Sequence, residues 1–181
     1  KESFGNLEII DIINSGIIYH LEEIGVSTHD QIPFWGVRLS FNADVKEDES
    51  RVLILGQCHA EEIYGVEITM ELIYRLLHPT EFPSSYFNLK AFMENTEIWL
   101  IPTYNPEGLR MVHGYYENDT LLHDTAYRKN KRDVNENGIF DYVIGIGNDL
   151  DGVDLNRNYN FNWIFGDAVG QTDGGCSANP S

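Results

Sequence analysis

The sequence predicts an α/β protein with a mixed, mostly parallel sheet that is flanked by helices. Residues 52–55 are a continuous apolar run of the kind found in strands that are covered on both faces, and residues 97–101 predict another buried strand. Between them, apolar residues recur at the spacing of one helix face: Ile63, Val66, Met70, Ile73 and Leu77. A strand, a helix and a strand in this order predict a right-handed βαβ crossover, with functional groups at the strand ends.

The residues before this crossover predict a pair of antiparallel strands. Residues 17–24 are rich in β-branched and apolar side chains, and residues 35–42 alternate apolar with polar side chains. Loop 27–33 is long enough to join two antiparallel strands. We expect the acidic stretch 44–50 to be a solvated turn, because charges protect a sheet edge from pairing with other chains.

The residues after the crossover helix predict a shorter, looser region. The helix must end by Pro79, and the strand 97–101 is followed by Pro102 and the turn-forming sequence Asn-Pro-Glu-Gly at 105–108. From residue 130 onward, Gly, Asn and Asp become frequent, which indicates loops. No repeat or linker interrupts the chain, so residues 1–181 are expected to form a single domain.

Composition excludes two kinds of partner. The chain has 29 acidic and 12 basic residues, a net charge of −17, and therefore lacks the basic face that nucleic acid requires. No segment approaches the roughly 20 apolar residues of a membrane-spanning helix, and the first residues do not resemble a secretory signal. We expect a soluble or already processed chain, with neither a nucleic acid nor a membrane as partner.

His59 and Glu62 follow the first buried strand, where the helix begins. Side chains three positions apart on a helical turn share one face, so an imidazole nitrogen and a carboxylate oxygen can converge on a cation. Zinc accepts these ligands, and a catalytic zinc needs three protein ligands and an open position. An isolated His-x-x-Glu pair is also compatible with a solvated helix start. The other five of the six histidines are expected to be solvated or packed.

Two further groups offer hydrogen-bond donors to an anionic substrate. Arg128 carries a planar fork of N–H groups that matches a carboxylate, and so does Arg157, beside which the Asn156 amide adds another donor. An ordinary surface ion pair is the alternative for an isolated Asn-Arg pair.

Four sequence blocks together resemble the zinc metallocarboxypeptidases of the carboxypeptidase A and B type. They are Gly-Gln-Cys-His-Ala-Glu-Glu at 56–62, Pro-Thr-Tyr-Asn-Pro-Glu-Gly at 102–108, Arg-Lys-Asn at 128–130, and Gly-Val-Asp-Leu-Asn-Arg-Asn at 152–158. They occur in the family's order and at similar spacing. The resemblance begins near Ile24-Gly25 and implies the N-terminal part of a catalytic domain that releases C-terminal amino acids from peptides by metal-activated water.

The resemblance also implies a role for each candidate residue. His59 and Glu62 would be zinc ligands, with zinc as cofactor, and Arg128 would polarise the scissile carbonyl. Asn156 and Arg157 would hold the terminal carboxylate of a peptide or protein substrate. A secreted or periplasmic location is implied as well.

Two departures from the family affect these expectations. The residue before the glutamate ligand is commonly arginine in the family but is Glu61 here, which weakens the expected contact to the substrate one subsite inward. The family's third zinc ligand, capping tyrosine and general-base glutamate would all lie beyond Ser181. The chain is therefore expected to be incomplete and to need the remainder of the catalytic domain.

Two other functions are compatible with the same blocks. One is a non-catalytic module of the same fold that binds peptides or carboxylates. The other is an N-acyl amino acid amidohydrolase, which shares related His-x-x-Glu and Asn-Arg elements. The Tyr-Arg-Lys-Asn and Asn-Pro-Glu-Gly blocks favour the peptidase.

A second metal site is possible in the loop-rich region. Oxygen-bearing side chains occupy positions 1, 3, 5 and 9 of a calcium-type loop, with glycine at position 6: Asp133, Asn135, Asn137, Asp141 and Gly138. Position 12 is Ile144 instead of glutamate, and Asp149 or Asp151 could supply the missing ligand. An acidic loop without metal is the alternative.

Overall fold

A four-stranded mixed sheet organises the computed structural model, which describes residues 18–78, 81, 93–144 and 151–159. The sheet has the order β1-β2-β4-β3 and consists of β1 Ile18–Val26, β2 Pro33–Ser40, β3 Ser50–Gln57 and β4 Thr96–Thr103. Helix α1, Tyr64–Leu77, lies between β3 and β4 in the sequence, and α2, Pro106–His113, follows β4. A small hairpin of β5 Tyr115–Glu117 and β6 Thr120–Leu122 completes the regular structure, together with a 3₁₀ turn at Leu155–Arg157.

The strand pairings agree with the predicted hairpin and crossover. β1 and β2 are antiparallel, and β3 pairs with β4 in parallel, from Ser50 opposite Thr96 to Gln57 opposite Thr103. β2 and β4 are antiparallel. The predicted mixed sheet is therefore observed, but parallel pairings are not the majority among the described strands, because β2 runs against both of its neighbours.

The helix prediction is confirmed, and it accounts for the core. α1 ends at Leu77, before Pro79, and its predicted apolar stripe faces the sheet with Ile73 and Leu77 fully buried. The main cluster joins this face to β2 and β4: Val37, Leu39, Ile73, Leu76, Leu77, Met93, Ile98 and Leu100. No helix of the described part combines the length and apolar character needed to cross a membrane.

Strand β3 corrects the expectation that residues 52–55 are covered on both faces. Leu53 is 60% exposed and Leu55 is 44% exposed. Among the described strands, β3 lies at the edge of the sheet, and α1 packs against only one of its faces. β4 lies between two strands and is largely buried, so it matches the prediction made for both.

The sequence Asn-Pro-Glu-Gly at 105–108 is the start of α2, where a turn was expected. The Asn105 side chain accepts a hydrogen bond from the Gly108 amide at 3.1 Å and caps the helix, and Pro106 occupies its first turn. The Asn105 amide group also donates to the carbonyls of Cys58, at 2.9 Å, and Lys129, at 3.1 Å. One capping residue thus joins the end of β3, the start of α2 and the segment that carries Arg128.

The same junction requires glycine at position 108. A Cβ atom there would lie 2.7 Å from both the Ala60 Cβ and the Lys129 carbonyl oxygen. Real Cβ atoms do not approach other atoms so closely. The absence of a side chain at Gly108 therefore lets the backbone after β3 and the backbone of residues 128–130 pack directly on α2.

The Glu107 carboxylate binds three backbone N–H groups from two other parts of the chain. Its Oε1 accepts from the amides of His29, at 2.9 Å, and Asp30, at 2.6 Å, and its Oε2 accepts from the Lys131 amide at 3.1 Å. Glu107 itself is 1% exposed. The β1–β2 loop and the segment around Lys131 lie outside regular secondary structure. The Glu107 carboxylate supplies the acceptors that their backbone N–H groups need.

A buried ammonium reinforces this connection. The Lys131 side chain is completely buried, and its Nζ donates to Asp30 Oδ1 at 3.0 Å and to Glu117 Oε2 at 3.2 Å. Two carboxylates thus compensate one buried cation. Together with Glu107, they fix the position of the chain immediately after Arg128.

Replacing Glu107 by alanine is expected to destabilise the fold strongly. Each buried N–H group left without an acceptor costs about 1–3 kcal/mol, and three lose their acceptor, so we expect the free energy of unfolding to fall by about 3–5 kcal/mol. Urea unfolding measures this change. Glu71→Ala is the matched control, because its ion pair with Arg75 is more than half exposed and contributes less than about 0.5 kcal/mol. Equal stabilities of the two variants would contradict the role of Glu107.

Candidate metal and substrate site

His59 and Glu62 lie between the end of β3 and the start of α1. The expectation that they share the first helical turn is wrong in detail, because α1 begins at Tyr64 and the two residues belong to a separate turn closed by the Glu62 amide and the His59 carbonyl, 3.1 Å apart. The spacing of three nevertheless has the expected effect. His59 Nδ1 lies 3.0 Å from Glu62 Oε1.

The donor set of this pair fits a zinc ion. His59 is 6% exposed, and its Nδ1 is buried without a hydrogen bond, although the Glu62 oxygen is near. A nitrogen and a carboxylate oxygen that lie side by side in this way are compatible with two ligands of one cation. Among the described residues, no third histidine, cysteine or carboxylate converges with this pair.

Asp154 holds the other side of the His59 ring. Its Oδ1 lies 3.2 Å from His59 Nε2, and it is 3% exposed. A metal on Nδ1 requires the ring proton to be on Nε2, where Asp154 can accept it. Asp154 lies in one of the four sequence blocks, but no role was predicted for it; its position next to the Asn-Arg pair was the available signal.

Arg128 binds the second oxygen of the same carboxylate. Its Nε donates to Asp154 Oδ2 at 2.9 Å, and its Nη2 lies 2.7 Å from His59 Nε2. Burial alone would raise the pKa of the Asp154 carboxyl, but hydrogen bonding and charge from Arg128 outweigh burial and hold this pKa below its ordinary value. Asp154 is therefore a carboxylate at neutral pH.

Glu61 also contacts Arg128, and its role was not foreseen beyond its departure from the family. Glu61 Oε1 accepts from Arg128 Nη1 at 3.1 Å. Burial opposes the charge of the guanidinium, but its hydrogen bonds to Asp154 and Glu61 raise the pKa of Arg128 above the usual value. Arg128 is thus a fixed cation whose three nitrogens each face a different neighbour.

Asn156 and Arg157 form the turn that follows Asp154. The backbone amide of Asn156 donates to Asp154 Oδ1 at 2.9 Å. The aspartate that contacts His59 and Arg128 therefore also caps this turn. Both side chains of the Asn-Arg pair are exposed, and Arg157 Nη1 donates to the Asn156 carbonyl at 3.1 Å. Of the predicted residues, His59, Glu62 and Arg128 meet directly, and Asn156 and Arg157 connect to them through Asp154.

Cys58 and Tyr104 lie beside this cluster. Burial raises the pKa of the Cys58 thiol, and burial together with the neighbouring thiol raises the pKa of Tyr104. Neither group is therefore ionised near neutral pH, and Cys58 lacks the lowered pKa of a reactive cysteine.

The predicted calcium-type loop forms a set of hydrogen-bonded turns. The Gly138 amide donates to Asp133 Oδ2 at 2.6 Å, and the amide groups of Asn135 and Asn137 donate to Asp141 Oδ2 at 3.0 and 2.8 Å. Gly138 has a φ of +82°, a left-handed conformation that favours glycine. Three of the four predicted side chains are thus joined directly, and Asp133 binds the loop backbone.

Asp151, which was considered as a further calcium ligand, binds backbone amides of the loop. Its carboxylate is 2% exposed and accepts from the amides of Val134, at 2.9 Å, and Asp141, at 2.6 Å. It therefore holds the two ends of the loop together, and both of its oxygens are engaged by backbone N–H groups.

Another group of ligand-type side chains lies between the β1–β2 loop and the small hairpin. His29, Asp30 and Glu117 offer atoms within 4.8 Å of one another. The Lys131 ammonium already binds both carboxylates at 3.0–3.4 Å. Because this cation would repel a metal ion, the group is a structural charge network.

Three comparisons relate the chain to known proteins. The family model described as zinc carboxypeptidase matches residues 13–181. A zinc carboxypeptidase of Saccharothrix mutabilis subsp. capreolus is 27% identical over 148 residues, which are 81% of this chain and 28% of that protein.

Solved structures share the fold. Carboxypeptidase A from Helicoverpa armigera matches with a TM-score of 0.61 at 20% identity, over 97% of this chain and 36% of that one. Thrombin activatable fibrinolysis inhibitor matches with a TM-score of 0.59 at 17% identity, over 90% of this chain and 34% of that one. The chain thus spans about a third of the length of the proteins it matches.

Replacing Asp154 by asparagine is expected to weaken zinc binding by the intact protein about 10- to 100-fold, because an uncharged amide with one acceptor oxygen holds the His59 proton on Nε2 less strongly than a carboxylate does. Competition with a chromogenic chelator measures this affinity. Asp44→Asn is the control, since Asp44 is exposed in the β2–β3 turn. Unchanged affinity in a folded Asp154→Asn variant would contradict the orienting role.

Proposed function

Because this chain belongs to the zinc carboxypeptidase family, we propose that it forms the first part of a catalytic domain that releases C-terminal amino acids from peptides. The observation that carries this proposal is the position of His59, which has Glu62 at one ring nitrogen and the buried, Arg128-bound carboxylate of Asp154 at the other. The activity belongs to the intact protein, since the chain spans about a third of its matched relatives. The single-domain organisation of residues 1–181 is part of the same proposal.

His59 and Glu62 would hold the zinc ion through Nδ1 and the carboxylate. Zinc supplies a Lewis acid for the scissile carbonyl and lowers the pKa of a bound water. Asp154 fixes the His59 ring by accepting its Nε2 proton, and this contact is largely shielded from water because Asp154 is 3% exposed. The ligand atom therefore keeps one orientation while substrate enters and leaves.

Arg128 would bind the carbonyl oxygen of the scissile bond. Its Nε and Nη1 are held by Asp154 and Glu61. When the His59 proton is on Nε2, the ring has no acceptor for Arg128 Nη2, so those N–H groups are available to a substrate oxygen. A fixed cation aimed at the oxygen that becomes negative stabilises the transition state more than the ground state.

Arg157 and Asn156 would bind the terminal carboxylate of the substrate. Both side chains are exposed, and within the described residues no carboxylate pairs with Arg157. Their turn begins at Asp154, whose other contacts are to His59 and Arg128. One residue therefore sets the spacing between the carboxylate anchor and the reacting carbonyl, as an enzyme that removes the last residue requires. Secretion or a periplasmic location stays a prediction.

Replacing Arg157 by alanine is expected to lower kcat/KM about 100-fold for peptides with a free C-terminal carboxylate, because a charge-assisted contact is lost. C-terminally amidated peptides should lose far less. Steady-state kinetics of the intact protein measures both, with Arg75→Ala on the outer face of α1 as control. Equal losses on the two substrates would exclude the anchoring role.

The same assays separate the peptidase from the alternatives. Peptide binding without turnover by the zinc-loaded protein would identify a non-catalytic module. Release of amino acids from N-acyl amino acids, but not from peptides, would identify an amidohydrolase.

Calcium binding by the loop of Asp133, Asn135, Asn137 and Asp141 stays a prediction. The amide groups of Asn135 and Asn137 both donate to Asp141 Oδ2, and a cation would replace these donors. Calorimetric titration of the metal-free protein should show one calcium site that Asp133→Asn weakens at least about tenfold. Asp119→Asn, in the exposed turn of the small hairpin, is the control. No heat of binding in the unmodified protein would remove the prediction.

A further inference from the structure

We propose that Glu61 selects the charge of the substrate residue that precedes the scissile bond, favouring lysine or arginine there and disfavouring aspartate or glutamate. The proposal rests on the proposed carboxypeptidase function and adds a specificity determinant to it. Its basis is the position of Glu61 on Arg128 and the charge balance of the cluster.

Glu61 binds Nη1 of the Arg128 guanidinium, and the Glu62 carboxylate lies farther from this nitrogen, at 3.9 Å. Glu61 Oε1 accepts from Nη1 at 3.1 Å, whereas Asp154 accepts from Nε at 2.9 Å. Glu61 Oε2 is buried and has no hydrogen-bond partner. The negative charge of this side chain is therefore balanced by a single hydrogen bond to a cation that it shares with Asp154 and, at a longer distance, with Glu62.

The three carboxylates of the cluster differ in what they can offer a substrate. Asp154 is almost fully buried and binds His59, Arg128 and the following turn. Glu62 faces His59 Nδ1 and is the proposed metal ligand. Glu61 contacts neither His59 nor the turn after Asp154, and 29% of its side chain is exposed. Glu61 is thus the carboxylate whose electrostatic field can act on a bound peptide. It is neither a proposed metal ligand nor a partner of His59.

The order of groups along the site places Glu61 on the N-terminal side of the scissile bond. Asp154 caps the turn that carries the proposed carboxylate anchor, Asn156 and Arg157. Arg128 lies next to Asp154 and would face the scissile carbonyl, and Glu61 lies on a different nitrogen of Arg128. A peptide that runs from the anchor across Arg128 brings the residue before the scissile bond toward Glu61.

Coulomb interaction then sets the preference. A cationic side chain near Glu61 is attracted by a carboxylate that only Arg128 balances, and an anionic side chain is repelled. Because the site is partly open to water, we expect an effect of about tenfold in kcat/KM for each substitution of one charge sign by the other. Salt should reduce it, since an exposed charge pair is screened.

The test compares three peptides that share one C-terminal residue and differ only before it, with lysine, glutamine or glutamate there. The zinc-loaded intact protein should cleave the lysine peptide about ten times faster than the glutamate peptide at low salt. Glu61→Gln, which keeps an oxygen acceptor for Arg128 Nη1, should bring this ratio close to one. Glu61→Arg should invert it. Glu67→Gln, on the exposed face of α1, is the matched control and should leave the ratio unchanged.

Calorimetric affinities of the same peptides for each variant distinguish this proposal from the function on which it rests. If no peptide is hydrolysed, the carboxypeptidase function is wrong, and the ratio of dissociation constants for the lysine and glutamate peptides still decides the role of Glu61. A ratio, in either assay, that Glu61→Gln leaves unchanged overturns the proposal. Failure of all three peptides to bind overturns it as well.

Discussion

The arrangement of the site depends on a single buried carboxylate, that of Asp154. Its two oxygens face a histidine ring, a guanidinium and a backbone amide, which come from three distant parts of the chain. A charge that is 3% exposed is tolerable only when such partners surround it. Glu62 also lies close to His59 and Arg128, but it is Asp154 that joins both of them to the turn of Asn156 and Arg157. Asp154 is therefore the point at which the candidate metal pair, the candidate oxyanion donor and the candidate substrate anchor acquire fixed distances from one another.

This arrangement is supported by polar side chains that do the work of regular secondary structure. The segment from residue 123 to residue 144 contains neither a helix nor a strand. Its backbone is held by Asn105, Glu107 and Asp151, each of which binds main-chain groups from other parts of the chain. Buried polar groups need partners with good geometry, so each such contact restricts the local backbone to a few conformations. A loop-rich region can in this way hold Arg128 as firmly as a strand would.

The periodicity of apolar residues predicted much of the fold, whereas it did not predict the polar contacts that hold the site residues in place. The helix stripe at 63–77 and the alternation at 35–42 follow from the fixed spacing of side chains on one face of a helix or strand, and they predicted α1 and β2 well. The expectation that residues 52–55 are covered on both faces is wrong, because an apolar sequence does not reveal which elements will lie beside the strand. Asn105 was assigned to a turn, although asparagine followed by proline is also a helix start.

The site residues also differ in whether the sequence alone could identify them. His59 and Glu62 are three apart, so their convergence could be inferred from spacing alone. Asp154 lies 95 residues from His59, and Glu107 lies 78 residues from His29, so only the folded chain brings these partners together. Both look like ordinary surface acids in the sequence. Glu61 was noticed only as a departure from a family pattern, and its contact with Arg128 gives that departure a physical meaning.

The open edge of β3 has a consequence for association with other chains. Among the described strands, β3 has a neighbour on one side only, and Leu53 and Leu55 stand exposed along it. Such an edge can accept a further strand from any chain that reaches it. Two copies of this chain, however, each carry a net charge of −17 and repel one another. The electrostatics therefore disfavour identical partners at this edge and leave it receptive to neutral or basic polypeptide.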